Sequence, residues 1–265
     1  MEYNISDELE KDNVAQERKQ ASTFIIEFEN GLLLEETIKL VSQYITEANL
    51  IISQDGLTIH ETDPSQISLI HLEIPKRVFK RFEAPEEAQA IGVDIDLLSK
   101  ILKGSKNKTL KLQNFGDILE ITSNNLMVQK INILEVAKNE MPSPKINFSA
   151  SVTVKRKEFA ALLKEFNKTF NDLTLTAGEA FSLTAKNSEA SSSAKYTKEN
   201  KILVSLDAAK EISALYPINF ILPFIEKCPT EAITMSFSQD TPVEIRAAIP
   251  ELKITFWIAN KLRGD

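Results

Sequence analysis

Apolar and polar residues follow two different periods along the chain. Residues 52–75, ISQDGLTIHETDPSQISLIHLEIP, alternate apolar with polar positions, which predicts two strands joined by a polar corner at residues 63–66. The earlier segment LLLEETIKLVSQYITEA, residues 32–48, instead repeats its apolar residues at helical spacing and predicts a helix. From residue 23 onward we therefore expect an α+β fold.

The order strand, helix, hairpin occurs twice in the chain at one constant separation. The pairs that share this separation are Phe24 with Phe148, Leu57 with Phe181, Ile101 with Ile225, and Lys103 with Lys227. A separation that holds over turns and helices indicates a structural duplication. We expect two similar domains of antiparallel sheet, each with an early long helix, a shorter middle helix and about eight or nine strands.

The predicted domain organisation follows from two interruptions of this pattern. Residues 1–22 are acidic and poor in apolar residues, which predicts a flexible tail whose simplest role is solubility. Pro142 and Pro144 interrupt the periodicity in the middle of the chain and predict an extended surface linker. We therefore expect an N-terminal domain at 23–134, a connecting linker at 135–147 and a C-terminal domain at 148–265.

Composition excludes several classes of protein. The chain has 31 basic and 38 acidic residues, a net charge of -7, which argues against broad contact with nucleic acid or an acidic membrane. The single cysteine, Cys228, excludes an internal disulfide framework and suits a reducing compartment. No secretory signal or long apolar segment stands out, so we expect an intracellular protein without a membrane span.

Basic residues nevertheless collect on the outer faces of the predicted helices. In the first half they are Lys100 and Lys103, with Lys106 soon after the helix, and in the second half they are Arg156, Lys157, Lys164, Lys168 and Lys227. Any one of them alone is explained as a solvated surface residue. Their corresponding placement in both halves favours a shared basic surface, which would contact phosphates weakly and without reading sequence.

Catalytic chemistry has little support in the sequence. The two histidines, His60 and His71, lie on alternating strands, where we expect solvated outer positions, and no Cys/His cluster predicts a zinc site. The chain has 7 glycines and no glycine-rich phosphate loop. Asp63 before Pro64 is best explained by the chemistry of a turn. We therefore expect no enzyme activity, no cofactor and no metal.

Several segments resemble one known family. The segments DGLTIHETDPSQISLIHLEIP and IGVDIDLLSKILK look like the first domain of DNA sliding clamps of the proliferating cell nuclear antigen type from archaea and eukaryotes. The final KITFWIANKL is similar to the last strand and tail of that family. The resemblance runs from about residue 24 to residue 262 and is weaker in the second half.

The resemblance implies a ring-shaped processivity factor. Three subunits of two similar domains would close into a pseudo-sixfold ring, with helices lining the hole and sheets outside. Duplex DNA would pass through the hole, and the ring would tether DNA polymerase, flap endonuclease, DNA ligase and the clamp loader in replication and repair. The protein would lie in the cytoplasm or nucleoid of an archaeon, or in a eukaryotic nucleus. The DNA-facing residues implied are Lys39, Lys100, Lys103, Lys106, Arg156, Lys157, Lys164, Lys168 and Lys227.

The resemblance also implies two kinds of protein interface. Subunits would pair an edge strand at about residues 126–134 with another at about residues 191–198. Partner proteins would insert a short motif, with a glutamine and apolar anchors, into a pocket beside the linker. The residues implied for this pocket are Thr62, Leu69, Met141, Pro142, Pro242, Phe256, Trp257, Ile258 and Ala259. Strand alternation offers a simpler reading for Phe256 and Trp257, in which one is core and the other surface.

Some residues depart from the family pattern. Glu35 and Glu36 lie where members often have lysines, and Phe220 lies where a basic residue is common. Pro223 falls inside the last predicted helix, which it should bend or shorten, and Asn260 replaces a usual proline. These departures keep a second hypothesis open, a scaffold without DNA contact or a specialised subunit of a heteromeric ring.

Overall fold

The structure, a computed structural model, describes residues 23–137, 139, 141–197 and 199–261. The predicted tail at residues 1–22 lies outside these described residues. Within them, no helix is both long and apolar enough to cross a membrane. The predicted α+β class is confirmed, since the strands of the described chain form antiparallel sheets and helices occur between groups of strands.

Residues 23–134 form nine strands and two helices around a short 3₁₀ turn at Lys76–Val78. In chain order they are β1 (Ile25–Phe28), α1 (Leu32–Val41), β2 (Glu47–Ser53), β3 (Gly56–Thr62), β4 (Ser68–Pro75), β5 (Arg81–Glu83), β6 (Gln89–Asp94), α2 (Ile95–Leu102), β7 (Leu110–Phe115), β8 (Ile118–Ser123) and β9 (Met127–Asn132).

The described residues from 148 onward repeat this order without the 3₁₀ turn. They form β10 (Ala150–Lys155), α3 (Arg156–Asn167), β11 (Asp172–Ala177), β12 (Phe181–Lys186), β13 (Ser191–Tyr196), β14 (Leu203–Ala208), β15 (Ile212–Pro217), α4 (Ile218–Lys227), β16 (Ala232–Phe237), β17 (Val243–Ile249) and β18 (Leu252–Ile258).

Strand pairing is equivalent in the two halves. The first half pairs its strands in the orders β5-β1-β7-β8-β9 and β4-β3-β2-β6, and the second half in the orders β14-β10-β16-β17-β18 and β13-β12-β11-β15. Adding nine to each strand number of the first half gives the orders of the second half. Strand β18 also pairs with β4, which joins the halves through one nine-stranded sheet. The duplication predicted from the sequence is therefore present in the topology.

The four helices form one row, in which α2 contacts α1, α1 contacts α4 and α4 contacts α3. Each helix turns an apolar face to the sheets, as Ile38 of α1 and Leu163 of α3 illustrate by being completely buried. Tyr44, just after α1, stacks on Phe220 of α4 and donates a hydrogen bond from its hydroxyl to the Phe220 carbonyl at 2.8 Å. The helix row is therefore continuous across the two halves.

The segment connecting the halves crosses the sheet face that points away from the helices. Leu134 forms a bridge to Gly92 on β6, and the Asn49 amide on β2 then donates to the carbonyls of Val136 and Ala137 at 3.4 and 3.3 Å. Farther along, on β3, the carbonyl of Met141 lies 2.7 Å from a ring nitrogen of His60. The connection is therefore attached to three neighbouring strands in succession.

We expected Pro223 to bend or shorten its helix, but the helix is not shortened. Helix α4 runs without interruption from Ile218 to Lys227 and contains Pro223 in its interior. Proline removes a single backbone hydrogen bond, the one to the carbonyl four residues earlier. Burial of Ile221, Leu222, Phe224 and Ile225 against the core stabilises the helix by several kcal/mol at about 1.5–3 kcal/mol for each side chain, which offsets that loss.

The first prediction concerns the close contact between linker and sheet at Gly92. A Cβ atom at this position would lie 2.2 Å from the carbonyl oxygen of Leu134. Gly92→Ala should therefore displace the start of the linker and lower the free energy of unfolding by about 1–3 kcal/mol, as measured in urea. Gly178→Ala is the control, since its Cβ would approach nothing closer than 3.3 Å. Equal losses in the two variants would contradict this account.

Candidate DNA-facing helices and partner groove

Six of the predicted DNA-facing lysines are exposed on the helix row or just beyond its helix ends. They are Lys39 of α1, Lys100, Lys103 and Lys106 in or after α2, Lys157 of α3 and Lys227 of α4. None of the six forms an ion pair with a carboxylate among the residues that the structure describes. Their ammonium groups are therefore available to an anionic partner.

Two other predicted lysines are already paired with carboxylates. The Lys164 ammonium lies 2.6 Å from Glu226 of the neighbouring helix α4, and the Lys168 ammonium lies 2.7 Å from Glu165. Both lysines are more than half exposed, so these pairs contribute little to stability. A phosphate would have to compete with the carboxylate for each of them.

Arg156 differs from the other predicted DNA-facing residues, because its Nε and Nη1 donors are engaged within the fold. Its Nε donates to the Thr230 carbonyl at 2.6 Å, and its Nη1 donates to the carbonyls of Ile225 and Glu226, each at 3.0 Å. The last carbonyls of a helix have no partner within the helix, and a cation near them is favourable. Arg156 therefore caps α4 from the start of α3.

The Glu35 carboxylate is also hydrogen-bonded within the fold. It accepts hydrogen bonds from the backbone N–H groups of Gly104 and Ser105 at 3.0 and 2.8 Å. Gly104 has a φ of 79°, so the chain turns sharply there, directly after α2. No local pattern predicts this contact, because the partners are about 70 residues apart.

The predicted partner groove is built on a row of residues across four adjacent strands. Strand register aligns Thr62 of β3 with Leu69 of β4, Trp257 of β18 and Glu244 of β17. All four side chains lie on the sheet face opposite the helices, because they alternate with core residues. Trp257 is 6% exposed, and its Nε1 has no hydrogen-bond partner in the described part of the chain. Leu69 and Trp257 form the apolar part of this floor, between Thr62 and Glu244.

The remaining predicted groove residues border this row. Met141 is 44% exposed and lies over β3, where its carbonyl meets His60. The backbone N–H of Ala259 donates to the Ile67 carbonyl at 2.8 Å, which fixes the chain just after β18. Pro142 is exposed, and Pro242, directly before β17, is half-buried. The linker and the end of the last strand therefore lie on either side of the floor.

Phe256 and Ile258 do not line the groove with their side chains, and this part of the prediction is wrong. Phe256 is completely buried and stacks on Phe224 of α4, with ring centroids 4.7 Å apart. Ile258 is also completely buried. Alternation along β18 places both on the helix side of the sheet and Trp257 on the other side. Phe256 therefore belongs to the core on the helix side, and Trp257 lies on the opposite face of the sheet.

The histidines are not solvated strand residues, contrary to our expectation. His60 and His71 are opposite each other on β3 and β4, and their Nδ1 atoms are 3.1 Å apart. The His71 side chain is 28% exposed, and its Nε2 lies 3.1 Å from a carboxylate oxygen of Glu73. Strand alternation predicted the face correctly, but it could not reveal that the linker covers this face.

Asp63 forms the corner between β3 and β4, as the sequence indicated. It accepts a hydrogen bond from the Ser65 N–H at 2.9 Å and one from the Ser68 hydroxyl at 3.0 Å. Burial by itself would raise the pKa of Asp63, but the hydrogen bonds from Ser65 and Ser68 outweigh burial and lower that pKa. The corner therefore holds Thr62 and Leu69 in place beside the groove.

Comparison with known proteins finds similarity to one family. Residues 23–142 match the family model described as "Proliferating cell nuclear antigen, N-terminal domain". The DNA polymerase sliding clamp of Thermococcus gammatolerans is 26% identical over 246 residues, which cover 90% of this chain and 98% of that protein. The chain is therefore similar to DNA sliding clamps over most of its length.

Solved clamp structures share the fold of the described chain. Proliferating cell nuclear antigen from Entamoeba histolytica superposes with a TM-score of 0.84 at 20% identity, covering 91% of this chain and all of that one. The A. fulgidus antigen, in a structure with the C-terminal region of FEN-1 bound, gives 0.81 at 18% identity and covers 91% and 100% of the two chains. Among the described residues of this clamp homologue, no group of three or more His, Cys, Asp or Glu could hold a metal ion.

The second prediction tests the structural role of Arg156 in this clamp homologue. Arg156→Met keeps the apolar stem and removes hydrogen bonds to three carbonyls, so the free energy of unfolding should fall by about 1.5–3 kcal/mol. Lys157→Met removes a neighbouring exposed charge and should change the free energy by no more than about 0.5 kcal/mol. Urea unfolding measures both, and an unchanged Arg156→Met variant would contradict the capping role.

Proposed function

We propose that this chain is a noncatalytic sliding clamp subunit, which encircles duplex DNA and tethers DNA polymerase and other replication and repair enzymes. The continuous row of four helices carries this proposal, because it presents Lys39, Lys100, Lys103, Lys157 and Lys227 on elements of one layer. Exposed ammonium groups contact phosphates without reading sequence and in a salt-dependent way, which suits movement along DNA.

Ring closure is supported by the joint between the two halves. Strand β18 pairs with β4 inside the chain, while their counterparts, β9 and β13, are edge strands of the described sheets. An unpaired edge strand is a template for another chain. Pairing β9 of one subunit with β13 of the next would repeat the internal joint between subunits, as a closed ring requires.

The internal joint also predicts the register of the joint between subunits. Leu119 of β8 and Val243 of β17 have the same separation as Phe24 and Phe148, and we take them as counterparts. The pairings of β8 with β9 and of β17 with β18 then equate Ile131 with Ile258, and both are buried. The pairings of β3 with β4 and of β12 with β13 likewise equate Tyr196 with Ile74, again both buried. The two counterpart strands therefore keep the same face toward the core.

The residue pairs of the internal joint therefore predict the residue pairs between neighbouring subunits. Thr255 of β18 lies opposite His71 of β4, and the equivalent positions are Val128 of β9 and Ser193 of β13. Both are exposed in the structure and lie on the solvent side of their strands. We therefore place Val128 of one subunit opposite Ser193 of the next.

Partner enzymes would bind through short peptides in the groove beside the linker. Leu69 and Trp257 give the floor an apolar part that suits apolar anchors. DNA polymerase, flap endonuclease, DNA ligase and the clamp loader are the partners that we propose. In this scheme the domains are residues 23–134 and 148–265, joined by the linker at 135–147, with residues 1–22 as a tail.

A specialised subunit of a heteromeric ring is a second candidate, and the two edge strands favour it. Leu126, Met127 and Val128 of the β9 edge are 86%, 56% and 51% exposed, an apolar surface. The β13 edge presents a run of serines, residues 191–193. An apolar edge gains more from an apolar strand than from serines, so a related subunit would fit β9 better than a second copy.

The third prediction tests the register by cross-linking. Val128→Cys combined with Ser193→Cys should form disulfide-linked oligomers under mild oxidation, because facing residues of antiparallel strands have Cα atoms about 4.5–5.5 Å apart. Val128→Cys with Ser191→Cys is the control, since that diagonal pair would be about 7–8 Å apart. Nonreducing electrophoresis measures the products.

Each outcome of the cross-linking experiment has a clear meaning. Oligomers of this chain alone support a homomeric ring, whereas oligomers that form only after mixing singly substituted related subunits support a heteromeric ring. Equal cross-linking of the control pair, or none in any mixture, would contradict the register and the ring built on it.

The fourth prediction tests DNA contact by the helix row. Lys100→Ala with Lys103→Ala should reduce stimulation of a polymerase on primed circular DNA and lower the salt slope of DNA loading by roughly 2. Lys111→Ala with Lys253→Ala removes the same charge from strand positions that alternate with core residues and face away from the helices. The clamp proposal is overturned if no combination of related subunits stimulates the polymerase and neither double variant changes DNA loading.

A further inference from the structure

The histidine pair, His60 and His71, connects the linker to the sheet through three contacts in series. His60 Nε2 lies 2.7 Å from the Met141 carbonyl, the two Nδ1 atoms are 3.1 Å apart, and His71 Nε2 lies 3.1 Å from Glu73 Oε1. Each distance is that of a hydrogen bond. All four ring nitrogens of the pair are therefore engaged at once.

Counting protons shows that two neutral imidazoles cannot satisfy this arrangement. Each of the three contacts needs one proton, because a carbonyl and an ionised carboxylate can only accept. Two neutral imidazoles supply one N–H each, which leaves two lone pairs facing each other in one of the contacts. One further proton, shared within the pair, satisfies all three.

We propose that the histidine pair is a proton-binding site that fixes the linker to the sheet and thereby regulates peptide binding in the neighbouring groove. Attachment of the linker follows from the contacts alone, whereas its effect on peptides rests on the proposed function. When the pair holds the extra proton, the chain Met141, His60, His71, Glu73 is continuous. When the proton leaves, one link of that chain is lost.

Charged groups of both signs surround the pair. Glu73 accepts from His71, and the Lys253 ammonium on β18 lies 3.8 Å from the other Glu73 oxygen. Arg246 on β17 is occupied by Glu244 at 2.8 Å, which reduces its repulsion of the pair. Glu61, beside His60 on β3, interacts favourably with a charge on that ring. In the described part of the linker, the group that faces the pair is the Met141 carbonyl, which is neutral.

Loss of the proton affects the linker because the Glu73 contact is the strongest of the three. A hydrogen bond to a carboxylate is stronger than one to a neutral acceptor, so His71 keeps its proton on Nε2. The single proton of His60 can then serve either Nδ1, toward His71, or Nε2, toward the Met141 carbonyl. In both cases the position of His60 between the linker and β4 is no longer fixed.

The pair lies one row of residues away from the groove floor. Strand register aligns His60 with His71 and Thr255, and the adjacent row on the same face contains Thr62, Leu69 and Trp257. Met141 belongs both to the contact with His60 and to the predicted groove. A linker held in one position requires less ordering when a peptide binds, which raises affinity.

The fifth prediction uses NMR of the full chain between about pH 5 and pH 8, the range in which histidine charge changes. The chain has 2 histidines and 4 methionines, so signals from labelled imidazoles and methionine methyl groups are readily assigned. We expect the Met141 methyl signal to change together with both histidine signals as pH rises. A Met141 signal that ignores pH while the histidines titrate would overturn the proposal.

Glu73→Gln is the decisive variant, because an amide can donate where a carboxylate can only accept. A glutamine N–H to His71 Nε2 would let His71 donate to His60 and His60 donate to Met141, so two neutral imidazoles would satisfy all three contacts. The Met141 signal of Glu73→Gln should then keep its low-pH position up to pH 8. A pH response as large as that of the unaltered chain would contradict the proton count.

A metal ion is the competing occupant of the two facing Nδ1 atoms, and the same spectra exclude or reveal it. Addition of Zn²⁺ at pH 8 should leave the Met141 and histidine signals unchanged at equimolar concentration. If Zn²⁺ restores the low-pH spectrum, and His71→Gln abolishes that effect, the site is a metal site and the proton proposal is overturned.

Peptide affinity tests the regulatory consequence separately. A synthetic peptide with a glutamine and apolar anchors should bind the unaltered chain at least about fivefold more tightly at pH 5.5 than at pH 8, as measured by fluorescence anisotropy. The Glu73→Gln variant should bind with the same affinity at both pH values. Equal affinities for the unaltered chain would overturn the regulation. No binding at either pH would refute the proposed groove, while the NMR titration would still decide whether the linker responds to protons.

Discussion

The pairing of β18 with β4 is the interaction on which the rest of the molecule depends. It joins the last strand of the second half to a strand of the first half and makes one nine-stranded sheet from two duplicated units. Because the joint is a sheet ladder, it fixes both the distance and the angle between the halves. The helix row, the course of the linker and the groove floor all take their positions from it.

Charge on the helix row is distributed more selectively than a count of residues suggests. Arg156 donates to carbonyls at the end of α4, which have no partner within the helix. Glu35 accepts from backbone N–H groups of the turn after α2. Lys164 is paired with Glu226. The exposed lysines that remain form no ion pair with a carboxylate in the described part of the chain.

The opposite face of the sheet carries the predicted peptide groove, and the linker is attached across this face. The linker is attached to β6, β2 and β3 in turn, by a backbone bridge, by the Asn49 amide and by His60. Only the last of these contacts depends on a titratable group, and it is the one nearest the groove. The contact of His60 with Met141, for which we propose proton dependence, lies between the sheet and the predicted peptide groove.

Local periodicity and turn residues were enough to predict the elements, their duplication and the buried face of each strand. The sequence also indicated the polar corner at Asp63. Tertiary structure alone decided what the polar side chains do. Arg156 lies about 70 residues from the carbonyls it binds, and His60 lies 81 residues from Met141. Such contacts depend on how distant strands and helices are brought together, and no local pattern encodes that information.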